Sequence, residues 1–94
     1  MRVKWLRTAL TNLDAEAEYV ARDNPAAAAR IVTALATAVD QLAQYSAMGR
    51  PGRVPGTREL VVPDTPYIVP YRIRGNVVEV LRVFHAARKW PSGF

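Results

Sequence analysis

A chain of 94 residues that is 50% apolar and 22% charged suits one compact domain with a modest core, and excludes a disordered or fibrous chain. It has no cysteine and a single histidine, which rules out a disulfide framework, thiolate metal ligation and the usual zinc sites, so no metal and no cofactor are expected. The net charge of +5 is uneven: residues 1–49 balance five basic against five acidic side chains, whereas residues 50–94 hold eight basic and three acidic ones, which suits that half to nucleic acid or an acidic protein segment. The amino terminus has neither a long apolar run nor a small-residue cleavage site, so no signal peptide or membrane span is expected, and the cytoplasm is the expected compartment.

Arg2 to Trp5 alternates and reads as a first strand. From Leu6 the period changes: Leu6, Leu10, Leu13, Ala17 and Val20 recur at steps of three and four, a helix with one buried stripe. Asn24 can accept from the free amides of the next turn and Pro25 fits a first helical position, so a second helix starts there, its stripe running Ile31, Leu35, Ala38, Leu42 and Tyr45. The short gap makes the two an antiparallel hairpin. Ser46 to Thr57, with three glycines and two prolines, reads as a basic loop outside any ladder.

Three strand-like runs follow, Arg58–Val62, Tyr67–Arg74 and Val77–His85, rich in β-branched and aromatic residues. Gly75 and Asn76 form a two-residue hairpin turn, which sets Arg74 opposite Val77, Ile73 opposite Val78, Arg72 opposite Glu79 and Tyr71 opposite Val80. Alternation then gives a core face of Tyr67, Val69, Tyr71, Ile73, Val78, Val80, Arg82 and Phe84, and an opposite face of Ile68, Arg72, Arg74, Glu79, Leu81, Val83 and His85. Pro70 has no amide to donate, so either its amide side lies at an edge or a bulge occurs there. The order β-α-α-β-β-β describes an α+β fold, a helical hairpin packed on a small, mainly antiparallel sheet, as one domain over residues 1–94.

The segments "NPAAAARIV", "MGRPGRVPGTREL", "YIVPYRI" and "VEVLRVFHAARKWP", in this order and spacing, carry a resemblance across essentially the whole chain. The sequence resembles the RelE/ParE superfamily of toxins from type II toxin–antitoxin systems, and within it the plasmid-stabilisation branch that includes ParE. The resemblance implies the RelE/ParE-like fold and a growth-inhibiting toxin neutralised by a cognate antitoxin, whose acidic carboxyl-terminal segment wraps it in a hetero-oligomer. It also implies one of two targets: DNA gyrase for ParE-like members, or the ribosome and its messenger RNA for RelE-like endoribonucleases (mRNA interferases).

Cleavage of RNA at a 2′-hydroxyl needs a group to activate it, charge to stabilise the phosphorane and an acid for the leaving oxygen. If the chain is a nuclease, its candidate groups are His85, Arg88, Arg58 and Tyr67. Ile68 stands where RelE-like members carry an arginine after the tyrosine, and Leu60 and Val62 stand where further basic groups would serve. The residues therefore favour a gyrase inhibitor with no catalytic residues of its own. A toxin-like domain that only binds its antitoxin is the third reading.

The candidate target contacts are Arg58, Arg82, Arg88, Lys89 and Trp90, with Trp90 expected as an exposed aromatic anchor. Arg58 reads equally as a sheet-edge charge. Arg82 reads first as a structural arginine paired with a buried carboxylate or carbonyl, and His85 as a hydrogen-bonded strand-end residue. The candidate antitoxin contacts are Ile68, Leu81 and Val83 as apolar ground among Arg72 and Arg74, with Arg72 and Glu79 as a cross-strand ion pair. Trp5 and Tyr19 are expected to pack in or against the core.

Overall fold

The computed structural model describes residues 1–90; Pro91, which closes the last of the quoted segments, lies outside the described residues. Two helices pack on a mixed six-stranded sheet: β1 Arg2–Trp5, α1 Arg7–Ala21, α2 Pro25–Asp40 followed by a short 3-10 turn Gln41–Ala43, β2 Arg50–Pro51, β3 Arg58–Val61, β4 Tyr67–Arg74, β5 Val77–Val80 and β6 Phe84–His85. The strands lie in the order β1-β5-β4-β3-β2, and β6 pairs with β4. β1 runs parallel to β5, Arg2 opposite Val77 and Trp5 opposite Val80, while the other pairs are antiparallel.

The second helix starts as expected, with Ala27 N donating to Asn24 Oδ1 at 3.0 Å and Pro25 at the first helical position. Its inward stripe is Ile31, Leu35, Ala38, Val39 and, in the 3-10 turn, Leu42, whereas Tyr45 lies past the helix end and is exposed. On α1 the buried stripe is turned from the expected one: Ala9 is fully buried and Leu10 is 45% exposed. A methyl group at the packed surface lets a helix approach its neighbour closely, which favours Ala9 over the bulkier leucine beside it. Trp5 packs against the core, but Tyr19 is exposed.

The loop expected over Ser46–Thr57 is interrupted, because Arg50 and Pro51 pair with Glu59 and Arg58 as an edge strand. Proline is tolerated at a sheet edge. Gly49 is obligatory for a packing reason: a Cβ there would lie 2.7 Å from Tyr71 Cε1 and Oη. The buried Tyr71 hydroxyl accepts from Gly49 N at 2.9 Å and donates to Ser46 O at 2.7 Å, fastening the chain that leaves the helices.

The β4–β5 hairpin has the expected register, with Gly75 at φ +57° in its turn. Beyond Val80 the strand breaks, and the cause is Pro70. Leu81 N donates to Pro70 O at 2.9 Å, but the reciprocal bond of an antiparallel pair needs an amide that Pro70 lacks. Arg82 Nη1 donates to the Leu81 carbonyl instead, at 2.7 Å. Pairing resumes one residue out of step, Ile68 opposite Phe84 and Tyr67 opposite His85, so Arg82 and Val83 oppose the single residue Val69 in a bulge.

The bulge overturns the facing expected for this end of the sheet. Val83, not Arg82 or Phe84, joins the core, and its amide is satisfied by Asn12 Oδ1 of α1 at 3.1 Å. His85 shares the helix-side face with Tyr67, and Phe84 shares the outer face with Ile68. Ile73, expected in the core, lies beside the hairpin turn and is exposed.

Candidate functional site

Two groups of functional side chains emerge on opposite faces of this sheet. On the helix side, the bulge and α1 bring Tyr67, His85 and Arg88 together with Glu16, 51 residues before Tyr67 in sequence. Tyr67, 3% exposed, donates its hydroxyl to Glu16 Oε1 at 3.2 Å, while Arg88 Nη1 binds the other carboxylate oxygen. Burial foremost, then the Glu16 charge and hydrogen bond, raise the Tyr67 pKa, with Arg88 opposing. Glu16 in turn holds the Arg88 guanidinium all the more firmly charged. The His85 ring meets Tyr67 edge-on, centroids 5.6 Å apart, and its Nδ1 accepts from Ala87 N at 3.1 Å, so a neutral ring carries its proton on Nε2.

Arg58, the fourth candidate nuclease group, is elsewhere. It is opposite Tyr71 and donates to the carbonyls of Ala47 and Gly49, at 3.3 and 2.8 Å, holding the same loop that Tyr71 holds. The chemistry this leaves at the Tyr67 end is a phenol that donates rather than accepts, an arginine whose charge is paired, and a histidine with no carboxylate against it among the described residues.

The outer face carries several of the basic residues of the second half, Arg50, Arg72 and Arg74 among them. Arg72 Nε binds Glu79 Oε1 at 2.7 Å, the expected cross-strand pair, and Arg74 Nε lies 3.7 Å from the same oxygen. The hydrogen bond from Arg72, with the charges of Arg72, Arg74 and Lys4, holds the Glu79 carboxyl below the ordinary range against a smaller opposing effect of desolvation. Further along, Glu59 is 3% exposed and binds Arg50 Nε and Nη2 through one oxygen and the Arg53 amide through the other. A buried carboxylate needs such pairing, and here it fixes the course of the basic loop.

Trp90 is folded back rather than standing free: its ring lies 4.7 Å from Phe84, the Arg53 guanidinium sits 3.7 Å above it, and its Nε1 donates to His85 O at 3.3 Å. The apolar ground expected for the antitoxin is not exposed either. Ile68 is 6%, Leu81 4% and Val83 3% exposed, Val83 because the bulge turned it inward. Lys89 is exposed, and Arg82 is half-buried beside the bulge. Glu16 and Glu59 escaped the sequence reading, Glu16 because a helix far away in sequence supplies it, Glu59 because nothing local marks a strand glutamate as buried.

Comparison with known proteins agrees with this architecture. Residues 3–90 match a protein-family profile described as the ParE toxin of the type II toxin–antitoxin system parDE. A Sinorhizobium fredii protein, the candidate toxin Y4kP, is 53% identical over 97% of this chain and 94% of its own length. Toxin RelE2 of Caulobacter vibrioides is 39% identical over 93% of this chain and 97% of its own. A solved structure of the chromosomal ParDE system of P. aeruginosa superposes with a TM-score of 0.83 at 31% identity, covering 90% of this chain and 95% of that one.

Proposed function

Because the chain belongs to the ParE toxin family of type II toxin–antitoxin systems, we propose that it acts by inhibiting DNA gyrase, in the cytoplasm, and is silenced by a cognate antitoxin. Family membership itself implies the antitoxin partner. What carries the gyrase reading is the state of the Tyr67 end of the sheet. Glu16 commits both Tyr67 and Arg88 to one carboxylate, so two of the groups that RNA cleavage would use are bound to each other through α1. Ile68, next to that tyrosine, is buried and apolar. With Tyr67 and Arg88 both engaged by Glu16, contact rather than catalysis is the role we read for the charges that remain among the described residues.

The antitoxin segment is best accommodated on the helical side and the loop that follows, where Leu10, Tyr19, Tyr45 and Met48 leave apolar surface exposed. An amphipathic segment recognises such surface.

The test is a gyrase supercoiling reaction with the purified chain. Inhibition or trapped cleaved DNA is expected, and no effect at excess toxin overturns the reading. A parallel reaction with translating ribosomes should leave a reporter message intact. Cleavage in the ribosomal A site, abolished by His85→Ala or Arg88→Ala, would establish the endoribonuclease instead.

A further inference from the structure

The outer face of the sheet carries a cationic array that neither the core nor the Tyr67 cluster uses. Two neighbouring rows cross the strands there: Lys4, Glu79 and Arg72 on β1, β5 and β4, and Arg2, Val77 and Arg74 beside them. Strand spacing puts the outer members of each row about 10 Å apart and the rows about 7 Å apart. Three of these cations, Lys4, Arg72 and Arg74, act on the single carboxylate of Glu79, and Arg2 lies in the row beside it. Glu79 engages Arg72 and Arg74 through Nε, and the terminal nitrogens of both forks have no protein partner among the described residues. Arg2, Lys4 and Arg74 are exposed and Arg72 partly so. A guanidinium held by its Nε with its outer edge open presents the donors that grip a phosphate.

We infer that this face is a sequence-independent contact for the phosphate backbone of duplex DNA, made by Arg2, Lys4, Arg72 and Arg74. The alternative occupant, an acidic amphipathic segment, needs apolar ground between the charges. The structure withholds it: Ile68 and Leu81 are buried, the row positions hold Val77 and charged residues, and Val61, the exposed apolar residue of this face, pairs with Ile68 at the other end of β4. Charge without apolar relief fits a polyanion whose binding is driven by release of counterions. The inference does not rest on the gyrase reading.

The experiment is fluorescence anisotropy of a short labelled duplex of arbitrary sequence, titrated with the full chain over a range of salt. With about four phosphates neutralised, log affinity falls against log salt with a slope of about −3.6, a loss of about 150-fold between roughly 50 and 200 mM. Arg72→Gln/Arg74→Gln should halve that slope. Arg2→Gln/Lys4→Gln, which removes no partner of Glu79 at hydrogen-bond distance, should do the same with an unchanged melting curve. Arg22→Gln/Arg30→Gln, an equal loss of charge on the helices, should leave the slope as it was.

The inference is overturned by absence of duplex binding at the lowest salt, or by equal effects of all three double variants. It is also overturned if labelled polyglutamate binds as tightly as the duplex and is lost in the same variants, which would give the face to an acidic protein segment. A chain that binds duplex but leaves gyrase active overturns only the gyrase reading, and one that inhibits gyrase without binding duplex overturns only this inference.

Discussion

Tyr67 and Tyr71 stand on the same face of one strand, both buried and both with an engaged hydroxyl, but they hold different things. Tyr71 is bonded to the backbone of Ser46 and Gly49, and Tyr67 to the carboxylate of Glu16, which it shares with Arg88. Backbone groups cannot change charge, so the first contact is a rivet. The second joins three side chains from α1, β4 and the carboxyl-terminal tail, so charge, pH and substitution all act on it. One strand therefore carries at its middle a fastening that only ionisation of its own phenol loosens, and at its end one that two further charged side chains also control.

The rivet can be broken hardest. Gly49→Ala places a methyl group against the Tyr71 ring, where overpacking costs about 2 kcal/mol. In a chain of this size that should lower Tm by about 10 °C, read by circular dichroism, and an unchanged Tm would remove Tyr71 from this role. The latch should break more gently. Glu16→Gln and Arg88→Gln should each cost about 1 kcal/mol, and their double-mutant cycle should show coupling of about the same size, because one partner is nearly buried and the other half exposed.

Alkaline pH sharpens the comparison. Both phenols are raised above the ordinary tyrosine value, Tyr71 by burial first, opposed by the Gly49 hydrogen bond and the Arg58 charge. The unfolded chain then releases these protons first, so their contribution to stability is complete below about pH 10 and lost as pH rises through the folded-state values. Urea midpoints should fall above that pH, and Tyr67→Phe and Tyr71→Phe should each remove part of the fall. Glu16→Gln should bring down the phenolate titration of Tyr67 while leaving that of Tyr71 in place. The smallest effect is expected from His85→Ala, which should leave gyrase inhibition at the wild-type level.

The fold was legible wherever local chemistry decides it. The Asn24–Pro25 cap, the Gly75–Asn76 turn and the β4–β5 register follow from residues adjacent to the features they set. The bulge was half legible, since Pro70 marks either an edge or a bulge, but which of Leu81 to His85 it turns inward was not, because both alternating sets contain apolar residues and Pro70 lies on the partner strand. The α1 stripe misled because leucines outrank alanine in hydrophobicity, while close packing selected Ala9. Of the candidate nuclease groups, three do converge, but the carboxylate that closes them off comes from a helix whose pattern gave no hint of its target.

The parallel pairing of β1 with β5 also has a consequence for the order in which the chain folds. Arg2 is bonded to Asn76 and Leu6 to Val80, so β1 finds its partner only in a strand far along the chain, after both helices and the β4 strand between them. Closing so long a loop is slow, and contacts of this separation form late in folding.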